Sequence, residues 1–156
     1  MIELILNDAL WSALAATGFA ILFNVPRRLL WGCALTGAVG HALRTVLVET
    51  VDMPLELATL FGAIAVGILA QWCARHWRVP APVFAISGAI PMVPGLFAYS
   101  AMIAIIQSTT LAAPEEVRTL LTEGAVNMIR VALILGAIAT GIVLPTLIFQ
   151  REKPVV

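Results

Sequence analysis

Three ionisable side chains, Asp8, Arg44 and Arg130, are set into long apolar runs. A charge near the centre of a bilayer costs at least about 2.5–3.5 kcal/mol, so such residues mark a substrate path or a pair. Helical spacing gives them neighbours. Gly37, His41 and Arg44 fall on one helix face at offsets of four and seven, and Glu123, Asn127 and Arg130 fall on one face of another. A polar stripe of this kind is expected to face the protein interior or water. Two arginines against one aspartate leave one surplus cation, which suits an anion, and the planar guanidinium fork matches a carboxylate. Asp8 can pair with either arginine. Arg44 can instead snorkel its head to the interface, and His41 can serve as a hydrogen-bonded interior histidine.

A second chemical feature is the stretch GAIPMVPGLFAYSAM, Gly88 to Met102. Pro91 and Pro94 stand three apart, followed by Gly95. A proline inside a helix removes a hydrogen bond and clashes with the preceding turn, at about 3 kcal/mol or more. Non-helical backbone in a membrane is tolerated only when buried in protein or lining a watery cavity. Transporters use such breaks because the N-terminus of the second half-helix points free amides at a substrate anion. The second half-helix is expected to begin near Pro94 or Gly95, with Tyr99 and Ser100 just beyond. A proline kink without a substrate role is the alternative. The candidate binding residues are therefore Asp8, His41, Arg44, Pro91, Pro94, Gly95, Tyr99, Ser100, Asn127 and Arg130.

The elements that must position these residues follow from composition. Of 156 residues, 61% are hydrophobic and 12% charged, with a mean hydropathy of +1.01. A soluble domain is about half apolar and about one-quarter charged. The excess reads as an all-α integral membrane protein. A helical span needs about 20 mostly apolar residues, and five candidates are present, at about 2–23, 29–48, 55–72, 82–106 and 125–149. The fourth is broken at Pro91–Gly95. Pro114-Glu115-Glu116 looks like a helix start that can extend the fifth span outward. The whole of 1–156 reads as a single five-span domain.

Charges between the spans alternate. Arg27 and Arg28 follow the first span; Glu49, Asp52 and Glu56 the second; Arg75, His76 and Arg78 the third. Glu115, Glu116 and Glu123 outweigh Arg118 after the fourth, and Arg151 and Lys153 close the chain. Lys and Arg mark cytoplasmic loops, so the N-terminus is expected outside and the C-terminus inside. Asp8, Arg44 and Arg130 then all lie in the outer part of the membrane. Trp31, Trp72 and Trp77 fall at the inner interface, and Cys33 and Cys73 lie near it, where thiols stay reduced. No basic stretch precedes the first apolar run, so that run is expected to be a retained span rather than a secretory signal.

Two stretches, GFAILFNVPRRLLWGCALTGAVGHALR and GAIPMVPGLFAYSAM, resemble the threonine/serine exporter family, and the resemblance covers essentially the whole chain. The Phe23-Asn24-Val25-Pro26 turn, the Gly40-His41 and Arg44 group, and the Pro91–Gly95 break carry it. The resemblance implies a two-half exporter of about ten spans, made as one chain or split into a large and a small subunit, with this chain similar to the small one. It implies export of threonine and serine or, for the split pair, succinate. It implies a bacterial inner membrane and a larger membrane subunit as partner. The odd span count fits independently, since the two halves would then be inverted relative to each other.

The expected function is thus a secondary exporter subunit for small carboxylates or amino acids. The alternative is a non-transporting membrane scaffold whose buried charges only lock helices. An enzyme is not expected: the sequence has no Gly-x-Ser-x-Gly element, paired catalytic carboxylates or metal-ligand cluster, and Cys33 and Cys73 form no metal spacing. No cofactor or metal is expected. A formal net charge of zero gives no electrostatic case for nucleic acid. The surrounding bilayer is the remaining partner.

Overall fold

A computed structural model describes residues 2–110 and 114–149; the terminal Arg151 and Lys153 lie outside the described residues. Every regular element among them is helical. In chain order these are α1 (Ile2–Leu22), a 3-10 turn (Arg27–Leu29), α2 (Leu30–Val51), α3 (Leu55–Trp77) and α4 (Pro82–Ala89). A second 3-10 turn (Ile90–Met92), α5 (Gly95–Ser108) and α6 (Pro114–Phe149) complete the chain. The chain divides into two compact units. One takes in the described residues of Met1–Met92 and Ala137–Val156, the other Val93–Gly136.

Three helices, α1, α3 and α6, are long and apolar enough to cross a membrane. The broken α4–α5 pair makes up to four if it counts as one span. The second expected span, α2, has the length, at 22 residues, but His41 and Arg44 interrupt its apolar run. The fifth expected span is extended back to Pro114, as its proline-and-acid helix start allowed. It is one helix of 36 residues, about 54 Å at 1.5 Å per residue, because no helix-breaking residue lies between Pro114 and the apolar stretch. Proline at its first position needs no amide donor, and Glu115 and Glu116 sit at its positive end.

Helix ends are set by left-handed residues. Asn24 (φ 58°), Asp52 (φ 51°) and Arg78 (φ 55°) terminate α1, α2 and α3. At α1, Val25 N–H donates to Ala20 O at 2.9 Å, the six-to-one bond of a Schellman cap. Asn tolerates this backbone better than most residues, and Pro26 then prevents the helix from resuming.

In the first unit the helices approach through small residues, as membrane helices do where backbones must come close. A Cβ on Gly37 in α2 would lie 2.5 Å from Ala16 Cβ and 3.0 Å from Ser12 O of α1. A Cβ on Gly62 in α3 would lie 2.7 Å from Gly40 O. Gly88 of α4 sits on Thr36 of α2, whose buried hydroxyl is 3.1 Å from Phe84 O and 2.9 Å from Cys33 O. Gly141 of α6 faces Ala63 and the Leu60 carbonyl of α3. The core is therefore small and tight around α2, with Phe84, Met92, Val66 and Leu29 filling it.

Candidate functional site

The register of α1 on α2 builds the site. Ser12 and Ala16 of α1 meet Gly37 of α2. One turn along, in these oppositely running helices, Asp8 stands opposite His41. Asp8 Oδ2 lies 2.6 Å from His41 Nδ1. Thr45, four residues after His41, donates its hydroxyl to the same carboxylate oxygen. His41 Nε2 lies 2.6 Å from Arg44 Nη2. Arg44 Nη1 donates to Met92 O at 3.3 Å. The chain of contacts runs Thr45, Asp8, His41, Arg44, Met92 carbonyl, all within the first unit. It is partly buried: the side chains of His41 and Asp8 keep 13% and 27% of their accessible surface.

The broken segment supplies the last acceptor. The α-helical ladder of α4 stops at Ala89 and tightens to a 3-10 turn through Pro91. Pro94 (φ −81°, ψ 57°) forms an inverse γ-turn, with Gly95 N–H donating to Val93 O at 2.9 Å. Helix α5 restarts at Gly95 with Pro94 as its cap. The break takes Met92 out of the helical ladder, and its carbonyl turns to the guanidinium of Arg44. Both α1 and α2 pack on this turn. Sequence reasoning named Asp8, His41, Arg44 and Pro91 but missed Thr45 and the Met92 carbonyl. The Thr45 signal was readable, as one turn beyond His41. The carbonyl carries no side-chain signature.

Pro94, Gly95, Tyr99, Ser100, Asn127 and Arg130 belong to the second unit. There, α5 and α6 pack through small residues, with Gly124 against Ala101 and Ala104. Arg130 is exposed on this chain, with its guanidinium carbon 5.6 Å from the Phe97 ring centroid, a cation–π contact. The charge-free stretch 131–149 that follows it is about 28 Å long, close to a bilayer core of about 30 Å. Asn127 is half-buried, Tyr99 is exposed and Ser100 is intermediate. A Cβ at Gly95 would meet nothing within 4 Å. Its role in the fold is to start α5.

No group of three or more His, Cys, Asp or Glu among the described residues has metal-binding geometry. Asp8 holds His41 and Thr45 through Oδ2, and its second oxygen adds further acceptor capacity. The guanidinium of Arg44 has five N–H donors and here uses two nitrogens on His41 and Met92.

Comparison with known proteins gives this geometry a context. The chain is 38% identical over 152 residues to an uncharacterised protein of Haemophilus influenzae, a match covering 97% of this chain and 50% of that protein. The chain thus spans about half the length of this relative. No solved structure matches. The profile of the family described as "Threonine/Serine exporter, ThrE" matches residues 8–148, from the Asp8 carboxylate through the broken segment to the end of the last apolar stretch. With nearly the whole chain matched, and with the buried polar cluster and the broken span inside the matched region, this multi-pass membrane protein belongs to the threonine/serine exporter family.

Proposed function

We propose that this chain is the small subunit of a split secondary exporter. With a larger membrane partner it moves small carboxylates or amino acids out of the cytoplasm, across the inner membrane of a bacterium. The observation that carries the reading is Arg44, a guanidinium held at the freed carbonyl of a broken membrane segment in a chain of this family. The coverage of half of its relative supports a missing second half. In this reading the cluster at Arg44 takes the carboxylate of the substrate. Threonine or serine follows from the family name, and succinate remains a candidate because the site recognises carboxylate first.

The proposed topology has five spans: α1, α2, α3, the α4–α5 pair and α6. The N-terminus is outside and the C-terminus inside. The support is the placement of Arg27 and Arg28 after α1 and of Arg75 and Arg78 at the end of α3, against Glu49 and Asp52 at the end of α2. In a background lacking Cys33 and Cys73, a cysteine at Asp52 is expected to react with an impermeant thiol reagent in intact cells. A cysteine at Arg78 is expected to stay protected. Labelling at position 78 alone inverts the topology.

A second reading has a specific observation behind it. Asp8, His41 and Arg44 form a continuous chain of polar contacts between α1 and α2, as expected if the charges only lock α1 to α2. Reconstitution separates the readings. Proteoliposomes carrying the chain with its larger partner are expected to release loaded threonine or succinate, and those carrying the chain alone to show little release. Equal release from the chain alone rejects the split-carrier reading. No release of either compound by the pair favours the scaffold.

A further inference from the structure

The turn that joins α1 to α2 carries two cations with no counter-charge. Arg27 and Arg28 are exposed, and neither guanidinium has an ion-pair or hydrogen-bond partner among the described residues. The described acids of the first unit all lie at the other end of its helices. Glu3 and Asp8 open α1, Glu49 and Asp52 close α2, and Glu56 opens α3. The charged neighbours at the Arg27 end are themselves basic, Arg75 and Arg78 at the close of α3.

Arg27 differs from Arg28 in what lies beside it. It stands at one end of a groove of about 440 Å³ between α1 and α2, which Arg28 does not line. Ala13 and Thr17 of α1 and Ala34 of α2 are small and half-buried along it, while Leu10, Leu14 and Trp31 are exposed at its sides. The Thr17 hydroxyl donates to Ala13 O at 2.7 Å, so it needs no partner from an occupant. The groove is therefore apolar along its length and cationic at one end. Leu10 lies about 18 Å from the end of α1 at 1.5 Å per residue, comparable to one leaflet of a hydrocarbon core about 30 Å thick. Trp31, four residues after Arg27, is 81% exposed, and tryptophan favours the headgroup level of a membrane.

We propose that this groove holds an acyl chain of an anionic phospholipid, with the lipid phosphate on the Arg27 guanidinium and Trp31 against the upper part of the chain. An apolar slot with a cation at its interfacial end matches a hydrocarbon chain that ends in a phosphate. The planar guanidinium takes two phosphate oxygens at once. A net anionic headgroup is preferred to a zwitterionic one, because a headgroup ammonium would meet Arg28 and no described acid. A helix of another protein would have to bring an acid to the same place. In the proposed topology the α1–α2 turn is cytoplasmic, so the lipid belongs to the inner leaflet, where basic residues attract anionic lipid.

The full chain is placed in phosphatidylcholine vesicles and titrated with phosphatidylglycerol whose acyl chains are brominated, or with brominated phosphatidylcholine as the reference. Bromine quenches tryptophan on contact, and the Trp31 signal is the difference between the parent and Trp31→Phe. At equal bromine content, Trp31 is expected to be quenched more by phosphatidylglycerol. Arg27→Gln is expected to weaken apparent affinity for phosphatidylglycerol about fivefold, and Arg28→Gln to leave it unchanged. Ala34→Phe, which fills the groove and keeps both arginines, is expected to remove the preference. Arg27 is exposed, so the comparison of Arg27→Gln with Arg28→Gln stands even if Ala34→Phe fails to fold. Equal quenching of the parent by the two lipids overturns the proposal. Equal losses in the two arginine variants also overturn it, because they reduce the effect to diffuse surface attraction. Protection of Trp31 from both lipids when the chain is purified with its larger partner gives the groove to a protein helix and overturns it as well. None of these measurements involves transport, so the exporter reading stands or falls separately.

Discussion

Arg44→Ala is expected to abolish export by the assembled pair while the chain still inserts in the membrane. Arg44 is the one cluster member with N–H donors free for an anion, and it is placed by two fixed partners, His41 Nε2 and Met92 O. In the proposed complex Arg44 pairs with the substrate carboxylate, and truncating one partner of such a hydrogen-bonded charge pair costs about 2–5 kcal/mol. At 1.36 kcal/mol per tenfold, the lower bound is about a 30-fold loss. Arg44→Lys is expected to recover only part, because lysine keeps the charge but loses the planar fork. The alternative is that Arg44 serves only to balance Asp8. The double variant Asp8→Asn with Arg44→Gln distinguishes the two, since it removes both charges and keeps polar groups in place. Normal export by that variant makes the cluster a helix lock. Export assays need a parallel measure of protein in the membrane, so that lost activity is not mistaken for lost protein.

Gly62→Leu is expected to prevent the chain from accumulating as a folded protein. Even the first atom of a side chain there would lie 2.7 Å from the Gly40 carbonyl oxygen, 3.1 Å from Met92 Sδ and 3.4 Å from Arg44 Cβ. The first of these is backbone and cannot rotate away, so α3 must move off α2. Overpacking of a tight core costs about 1–3 kcal/mol, and the larger part of that range is expected where backbone opposes backbone. The displacement also reaches the site, since Gly40 and Arg44 lie one turn apart on α2. Gly62→Ala is the graded version, with reduced thermal stability and reduced export. Gly18→Ala is the control. Gly18 is helical in α1 with nothing within 4 Å of an added Cβ, so alanine there is expected to leave stability unchanged or raise it by up to about 1 kcal/mol. Unfolding temperatures of the three variants in one detergent check the order. A Gly62→Leu protein as stable as the parent would show that the α2–α3 contact is not a constraint.

The polar cluster was only half legible. His41 and Arg44 were placed on one face because helical geometry alone relates offsets of three and four. Thr45 could have been added by the same rule. The partner of Asp8 could not be read. Asp8 is separated from His41 by 33 residues, and their meeting depends on Gly37 seating against Ser12 and Ala16. A one-turn slip of α1 along α2 would put Asp8 beside Arg44 or below His41. The start of the last helix was legible, because a proline followed by two acids suits a first turn that needs no amide donor and has a positive end, and α6 begins at Pro114.

What the sequence by itself determined is local or compositional. It set the all-helical membrane class through its apolar excess and the helix ends through Asn24, Asp52 and Pro26. It also set the break at Pro91–Gly95, because two prolines cannot serve an unbroken helical ladder. Each of these depends on residues within a few positions of one another or on sums over a segment. Tertiary structure alone decided that Asp8 binds His41 and Thr45 rather than an arginine, that His41 stands between Asp8 and Arg44, and that the Met92 carbonyl completes the guanidinium's partners. These contacts join helices whose relative register comes from close backbone approach at Gly37, Gly40 and Gly62. A glycine shows in sequence that closeness is possible, and only the packed helices show which backbone comes close to it.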